Sequence, residues 1–329
     1  MLNGSLVSII IPTYNRAHLI GETLDSVLAQ SYTHWECIVV DDGSTDDTDE
    51  FLANYVEKDS RFQYHHRPVH KTKGANSCRN YGFELSNGEF INWFDSDDLM
   101  HPDFIKEKLN CIKKDNADFV ISKTLGFAHP KTQDIKEDYS EFYTYEQYPV
   151  THYNYVTQLV NWLTYDFFCK RALVADLRFN EHLKSAQEYN FFCKVSLKSV
   201  NCRVLDQVLT LRRLHADSIT VAKQKTALEF NSQYFRSFYE TFKDLYGKSD
   251  RNSLFFLYKR QQALILNQTI RKNDYFRFIK MTYTIAGFES VFWLVFYLLT
   301  QRITNRGYLL RSKYSKKMEQ YFECYKPVV

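Results

Sequence analysis

The sequence lacks the patterns typical of zinc-ribbon, disulfide-rich and dinucleotide-binding proteins. Its seven cysteines are scattered, odd in number and free of Cys-x-x-Cys pairs. This argues against a zinc site or a disulfide framework and favours a reducing compartment. A Gly-x-Gly-x-x-Gly loop is also missing, which excludes the usual dinucleotide-binding fingerprint. The net charge is only +3, so the charge balance gives no reason to expect nucleic acid as a partner.

Internal repeats, low-complexity linkers and targeting signals are not evident either. Met1 leads almost directly into an apolar run, so we expect no signal peptide and a cytoplasmic location. The 329 residues are 44% hydrophobic and 25% charged, as is ordinary for a soluble globular protein. This length accommodates one large α/β domain with a smaller appendage, or two domains.

Apolar runs alternate with helical periodicity in the first 125 residues. Continuous apolar segments occur at 6–11, 37–40 and 90–94, as expected for strands covered on both faces. Between the first two segments, Ile20, Leu24 and Val27 recur at helical spacing. The alternation predicts an α/β fold with a doubly wound, mostly parallel sheet flanked by helices.

Three of the predicted strands end in polar segments, at 13–16, 41–44 and 95–98. Ligands bind outside the carboxyl ends of parallel strands, so we expect these segments to converge on one crevice. The carboxylates of Asp95, Asp97 and Asp98 repel one another unless a cation neutralises them. Hard oxygen ligands of this kind suit Mg²⁺ or Mn²⁺. A solvated acidic turn is the alternative interpretation.

Two features stand out further along the chain. Residues 126–150 have no clear period and are rich in tyrosine, which suits contacts with a sugar as well as packing against the core. From 226 to 329 the apolar spacing predicts helices, and 291–299 is the most hydrophobic run, followed by six basic residues. This run is too short to span a bilayer. A peripheral helix on an anionic membrane surface and a buried packing helix both stay open.

Four motifs occur in order: Val-Ser-Ile-Ile-Ile-Pro-Thr-Tyr-Asn-Arg at 7–16, Val-Asp-Asp-Gly-Ser-Thr-Asp at 40–46, Arg-Asn-Tyr-Gly at 79–82 and Asp-Ser-Asp-Asp at 95–98. Together they make the sequence similar to family-2 glycosyltransferases with the GT-A fold, strongly over 5–125 and moderately over 160–220. The resemblance implies an inverting, metal-assisted enzyme that moves a sugar from a nucleotide-diphosphate donor to the hydroxyl of a saccharide or lipid-linked acceptor. The implied pathway is surface polysaccharide or glycolipid biosynthesis.

The resemblance also implies a division of the chain and roles for individual residues. The glycosyltransferase domain would cover 1–225, with nucleotide-sugar binding at 1–100 and the acceptor side at 101–225, and a helical region would cover 226–329. The residues that would contact the donor are Pro12, Thr13, Tyr14, Arg16, Asp42, Lys73, Arg79, Asp95, Ser96 and Asp98. Asp42, with Asp41 as the less favoured choice, would accept the imide proton of the base, and Lys73 and Arg79 would meet the diphosphate. The metal ligands would be Asp97, Asp95 and His215.

The catalytic base implied by the resemblance is Glu188. Family members commonly carry a Glu-Asp pair at the start of a helix, whereas this sequence has Gln187 and Glu188. A carboxylate here could take the proton of the acceptor hydroxyl. The alternative is a glutamate that only stabilises the first turn of the helix. Trp162, Thr164 and Tyr165 are candidate acceptor contacts by position alone.

Two other functions compete with glycosyl transfer. A sugar nucleotidyltransferase would share the fold class and the metal chemistry, but a glycine-rich phosphate loop is missing after the first strand. A catalytically silent partner that binds a nucleotide sugar is favoured only by the departure at Gln187 and Glu188. The sequence leaves the donor sugar, its base, the acceptor and the oligomeric state open.

Overall fold

The computed structural model describes residues 4–128, 135–139, 142–214, 226–266, 270–304 and 308–327. The chain divides into two compact units, Met1–Lys223 and Gln224–Val329, here called the N-terminal and C-terminal units. In the N-terminal unit the strands are β1 (Val7–Thr13), β2 (Trp35–Asp41), β3 (Phe62–His66), β4 (Phe90–Trp93), β5 (Leu99–Met100), β6 (Phe119–Ala128), β7 (Ile135–Asp138), β8 (Phe167–Lys170) and β9 (Cys202–Leu214). Its helices are α1 (Ala17–Leu28), α2 (Thr48–Lys58), α3 (Ala75–Leu85), α4 (Phe104–Lys114), α5 (His152–Val156), α6 (Arg171–Val174) and α7 (Gln187–Lys198).

The strands form one sheet in the order β3-β2-β1-β4-β8-β6-β9-β5, with β7 paired to β6. The strands β1 to β4 are mutually parallel. β8 enters between β4 and β6 and is antiparallel to both, while β9 is parallel to β6. Consequently β1, β2, β3, β4, β6 and β9 all run in the same direction, and the reversed strands among those described are β5, β7 and β8. The predicted α/β fold with a mostly parallel sheet is confirmed.

The parallel half of the sheet is held by burial on both faces. Every residue of β1 and β2 is buried, which is why these strands read as continuous apolar runs. Helix α3 lies close to β1 at Gly82, where a Cβ atom would be 2.4 Å from Cγ2 of Ile10. Helix α7 also packs on the sheet: its Phe191 ring contacts the Trp93 ring of β4, with the ring centroids 5.3 Å apart. These contacts hold α3 and α7 against the sheet. The two helices contain Arg79 and Glu188, which the sequence predicts to be functional.

In the described part of the C-terminal unit, the helices α8 (Ala227–Leu245), α9 (Arg251–Leu266), α10 (Lys272–Thr304) and α11 (Tyr308–Cys324) form a core of their own. The core contains Phe242, Tyr258 and Phe278, and the Tyr258 ring lies 5.1 Å from the Phe278 ring. Helix α10 bends at Gly287, whose φ of 73° is left-handed and breaks the helical backbone. The predicted helices after 226 are therefore observed.

Candidate active site

The loops after β1 and β2 are joined by backbone and side-chain hydrogen bonds. The amide of Asp42 donates to the carbonyl of Thr13 at 2.9 Å, and the amide of Asn15 donates to Oγ of Ser44 at 2.8 Å. Asn15 has a φ of 52°, a left-handed conformation that asparagine tolerates better than most residues. The loop after β1, which contains Tyr14 and Arg16, is therefore fixed to the loop after β2.

Asp41 and Asp42 have different partners. The carboxylate of Asp41 accepts from the amides of Gly43 at 3.0 Å and Ser44 at 2.8 Å, so it shapes its own turn. The carboxylate of Asp42 accepts from Nε of Arg67 at 2.5 Å and from the amide of Gly74 at 3.0 Å. The sequence interpretation did not include Arg67, because it lies in none of the four motifs.

Basic side chains lie beside the loop after β1 and beside the acidic loop after β4. Nζ of Lys73 is 4.6 Å from the centre of the Tyr14 ring, which brings together two residues predicted to contact the donor. Arg79 of α3 is almost fully buried and donates from Nη2 to Oδ1 of Asp95 at 2.8 Å. Nε of Arg16 lies 3.6 Å from Oδ2 of Asp97. The predicted basic residues thus connect the polar ends of β1 and β4 and the start of α3.

In the acidic loop after β4, one carboxylate is buried and hydrogen-bonded, and two are partly exposed. Asp98 is 3% exposed and accepts from the amide of Arg213 at 2.9 Å. Burial, and then the charges of Asp97 and Asp95, raise the pKa of Asp98 well above the ordinary aspartate value. The side chains of Asp95 and Asp97 are 33% and 22% exposed. These two carboxylates are therefore the ones that a ligand in the crevice can reach.

Arg213, near the end of β9, contacts the acidic loop after β4. Its Nε donates to the carbonyl oxygen of Asp97 at 2.8 Å, and its Nη2 lies 3.0 Å from Oε2 of Glu22 on α1. The neighbouring Arg212 donates from Nη1 to the Tyr139 hydroxyl at 2.7 Å. The sequence interpretation gave these arginines no role of their own. His215, the predicted third metal ligand, lies outside the described residues.

Glu188 is the second residue of α7, and the residue before the helix, Ala186, has a left-handed φ of 50°. Burial is the main cause that raises its pKa above the usual glutamate value. The charge of Arg79 lowers the pKa of Glu188, and the charge of Asp95 raises it. Ring contacts connect α7 with Arg79: the Phe191 ring of α7 stacks on the Phe179 ring with centroids 4.0 Å apart, and the Arg79 guanidinium lies 5.5 Å from the centre of the Phe179 ring. The helix that contains Glu188 therefore packs next to Arg79.

The partly exposed carboxylates of Asp95 and Asp97 are the kind of ligand that divalent cations take in proteins, and each lies beside an arginine. Mg²⁺ and similar ions are commonly held by one or two carboxylates together with phosphate oxygens of the substrate, so two ligands from the protein are sufficient. Among the described residues, the one set of three potential ligands within 4.8 Å of one another is elsewhere: Asp41, Asp49 and His66. The Asp41 carboxylate in that set is already occupied by its own turn.

The aromatic side chains predicted as acceptor contacts lie mostly in the core. Trp162 and Tyr165 are buried, and the Trp162 ring lies 4.1 Å from that of Tyr155. The positional prediction that they contact an acceptor is therefore wrong, because their faces are covered by other aromatic rings. In the tyrosine-rich stretch, Tyr143 is likewise buried and donates to Asp166 at 2.6 Å, while Tyr148 is exposed.

Comparison with solved structures shows the fold to be that of GT-A glycosyltransferases. The chain is similar to residues 1–349 of TarS from S. aureus in complex with UDP, with a TM-score of 0.62 and 20% identity over 96% of this chain and 90% of that one. It is also similar to a mannosyltransferase from Pyrobaculum calidifontis in complex with GDP-Man and Mn²⁺. For that structure the TM-score is 0.57 and the identity 15%, over 96% of this chain and 84% of that one.

Sequence comparison then identifies the family. The model of glycosyl transferase family 2 matches residues 8–168. An uncharacterized glycosyltransferase of Rickettsia prowazekii is 30% identical over 238 residues, which cover 70% of this chain and 69% of the relative. The chain belongs to glycosyltransferase family 2.

Other relatives are matched over a smaller part of their length. An uncharacterized glycosyltransferase of Rickettsia felis is 39% identical over 124 residues, which cover 38% of this chain and 20% of the relative. A putative teichuronic acid biosynthesis glycosyltransferase of Bacillus subtilis, TuaG, is 38% identical over 114 residues, 35% of this chain and 44% of that protein. The chain therefore spans only part of the length of several relatives.

Proposed function

We propose that the protein is an inverting glycosyltransferase that moves a sugar from a nucleotide-diphosphate donor to an acceptor hydroxyl. The observation that carries this proposal is the packing of α7, which contains Glu188, next to Arg79 through the Phe179 and Phe191 rings, together with the ion pair between Arg79 and Asp95. This arrangement supports a role for Glu188 as a base near the residues proposed to hold the diphosphate. A saccharide or lipid-linked acceptor in surface polysaccharide or glycolipid biosynthesis is the proposed context, in line with the name of the B. subtilis relative.

The donor would lie along the ends of β1, β2 and β4. Pro12, Thr13, Tyr14 and Arg16 would contact the base and ribose, and Asp42 would accept the imide proton of the base. Both carboxylate oxygens of Asp41 accept from its own turn, whereas Arg67 and Gly74 both donate to the same oxygen of Asp42, Oδ1, and this difference supports Asp42 over Asp41. Lys73 and Arg79 would balance the charge of the diphosphate. TarS, which shares the fold, has been crystallised with UDP and with UDP-GlcNAc.

The predicted divalent cation would be held by Asp95 and Asp97. Bound there, Mn²⁺ or Mg²⁺ would neutralise the charge that develops on the leaving diphosphate. Ser96 and Asp98, which the sequence predicted to contact the donor, are both buried, so we propose that they fix the loop instead, with Asp98 held by the Arg213 amide. The mannosyltransferase from P. calidifontis, which shares the fold, is described with GDP-Man and Mn²⁺.

Glu188 would act as the general base. Its carboxylate would take the proton of the acceptor hydroxyl as that oxygen attacks the anomeric carbon from the face opposite the diphosphate. The new glycosidic C–O bond forms while the bond from the anomeric carbon to the diphosphate oxygen breaks, and the electron pair leaves with the diphosphate. One such displacement inverts the configuration at the anomeric carbon.

The test is release of nucleotide from a panel of UDP- and GDP-sugars, with Mn²⁺, Mg²⁺ or a chelator. We expect Glu188→Gln and Asp97→Ala to lower turnover by about 100-fold or more, since general base catalysis alone contributes roughly 10²–10⁴-fold. Glu57→Gln, at an exposed glutamate of α2, is the matched control and should retain full turnover. Full activity of either site variant contradicts the mechanism, and donor binding without turnover by the unaltered protein indicates a silent binding module.

We also propose a division of labour along the chain. Residues 1–100 would bind the nucleotide sugar, 101–225 would form the acceptor side, and 226–329 would attach the enzyme to the inner face of the membrane from the cytoplasm. The helix at Lys272–Thr300 is long and apolar enough to be a candidate membrane span, with a mean hydropathy of 1.4, but one such helix is weak evidence for a span. A peripheral attachment fits its bend at Gly287 better than a straight crossing does.

A further inference from the structure

Helix α10 exposes six large apolar side chains, two before its break at Gly287 and four after it. Those that are 47–73% exposed are Phe276, Tyr283, Phe288, Phe292, Phe296 and Leu299, here called the aromatic face. Clustered exposed apolar side chains mark interaction surfaces in soluble proteins. The aromatic face is therefore a candidate docking surface.

The part of the aromatic face after Gly287 follows helical periodicity. Phe288, Phe292, Phe296 and Leu299 are spaced by four, four and three residues, so they lie on one side of the helix. The opposite side is buried in the unit by Ser290, Leu294 and Tyr297. Since the helix already packs through that buried side, the aromatic face is not needed for the core of the unit.

Positive charge borders the aromatic face on the adjacent helix. Helix α11 packs beside α10, with Nζ of Lys313 4.7 Å from the centre of the Trp293 ring. Nζ of Lys317 lies 2.7 Å from Oε2 of Glu289, which compensates that acidic charge. Arg311 and Lys316 are exposed on α11. From 288 to 318 the sequence contains six basic residues and one acidic residue.

This combination of apolar face and basic border is complementary to an anionic lipid surface. Aromatic rings partition into the boundary between head groups and acyl chains, and nearby lysines and arginines interact with anionic head groups. The 13 residues from 288 to 300 span about 20 Å, short of the roughly 30 Å hydrocarbon core. A symmetric contact between two copies would bring the same basic borders together, which disfavours self-association.

We propose that α10 lies in the plane of an anionic membrane surface, with its aromatic face among the lipids and the basic residues of α11 at the head groups. The inference rests on the proposed location of the enzyme at the membrane, and it specifies the surface and the lipid charge. It requires no catalysis, so binding and turnover can be measured separately on the same preparation.

The experiment is flotation of the full chain with vesicles of phosphatidylcholine alone or with added phosphatidylglycerol. We expect flotation with the anionic vesicles, less of it at high salt, and little with phosphatidylcholine alone. The double variant Phe292→Glu/Phe296→Glu should lose flotation, and Lys313→Glu/Lys316→Glu should lose the preference for anionic lipid. Phe230→Glu, at a phenylalanine of α8 that is 50% exposed, is the matched control and should float like the unaltered chain.

Three results would overturn the inference. The first is failure of the unaltered chain to float at any salt concentration, and the second is loss of flotation in Phe230→Glu as well. The third is a dimer in light scattering without lipid that Phe292→Glu/Phe296→Glu dissociates, because the face would then belong to a second copy. Nucleotide release by the same samples is read independently, so a membrane-bound but inactive protein contradicts the proposed function alone.

Discussion

At the scale of single residues, the environment of Glu188 determines how activity should depend on pH. Only the deprotonated carboxylate can accept a proton, so the rate should rise as the pH passes the pKa of Glu188. Burial raises this pKa above the ordinary value of 4.5, and the acid limb of kcat/KM should have its midpoint above that value. Two neighbours act on it in opposite directions: Arg79 lowers the pKa and Asp95 raises it.

Substitution of Arg79 should therefore move the acid limb. We expect Arg79→Met to shift the midpoint to higher pH, because the cation that favours the carboxylate is lost. The measurement is the pH profile of kcat/KM for the residual turnover of the variant, since the midpoint of the profile does not depend on the maximum rate. A midpoint at lower pH, or an unchanged one, would contradict the assignment of Glu188 as the base.

The positions of the clustered carboxylates were predictable because their signal is local. Asp41 and Asp42 lie at the end of β2, and Asp95 and Asp98 lie between β4 and β5. The partners that hold them are distant: Arg67 is 25 positions from Asp42, and Arg213 is 116 positions from Asp97. No local pattern marks an arginine as the partner of a carboxylate so far away in the chain, and only the fold brings them together.

At the scale of elements, a buried network joins α4 to β6 and to the tyrosine-rich stretch. Nζ of Lys108 on α4 donates to the carbonyl oxygen of Asp166 at 2.7 Å. The Asp166 carboxylate accepts from Oγ1 of Thr124 at 2.7 Å and from the Tyr143 hydroxyl at 2.6 Å. Burial lowers the pKa of Lys108 to about 7, with the charge of Asp166 opposing the shift. Each element thus depends on polar contacts made inside the core.

Removal of one member of this network should be costly. We expect Asp166→Ala to lower the free energy of unfolding by about 3–5 kcal/mol, because the buried Lys108 amine loses the opposing charge and the Thr124 and Tyr143 hydroxyls lose their acceptor. The double variant Lys108→Met/Asp166→Ala should recover part of this loss, since the buried amine is then replaced by an apolar side chain. Denaturant unfolding monitored by circular dichroism measures both.

The control for this prediction is an exposed ion pair of the same type. Asp176 pairs with Lys198 on the surface, and exposed pairs contribute about 0–1 kcal/mol. Asp176→Ala should therefore leave the unfolding free energy nearly unchanged. Equal losses for Asp166→Ala and Asp176→Ala would show that the buried network contributes nothing beyond a surface pair.

The elements themselves were predictable to different degrees. The runs that became β1, β2 and β4 are apolar throughout because both faces of the sheet are covered, so the sequence marks them clearly. β8 is equally buried, but its insertion between β4 and β6 depends on pairings between segments distant in the chain. Hydrophobic periodicity specifies which face of a strand is buried, and it does not specify the strand's neighbours.

At the scale of the whole molecule, the two units each have their own core, and the residues proposed to bind the donor belong to the N-terminal unit. Ligand binding stabilises the state that binds, by about 2.7 kcal/mol when the ligand is present at 100 times its Kd. A nucleotide sugar with Mn²⁺ should therefore stabilise the N-terminal unit directly. The C-terminal unit should gain stability only to the extent that it unfolds together with the N-terminal unit.

A core variant of the C-terminal unit separates these contributions. Phe278 is fully buried among the helices of that unit, and Phe278→Ala should destabilise it by about 3–5 kcal/mol. Calorimetry with and without a UDP-sugar and Mn²⁺ should then show an early transition that the ligand does not move and a later one that it raises. If the variant shows a single transition and the ligand raises it, the two units unfold as one. The donor site would then depend on the C-terminal helices as well as on the sheet.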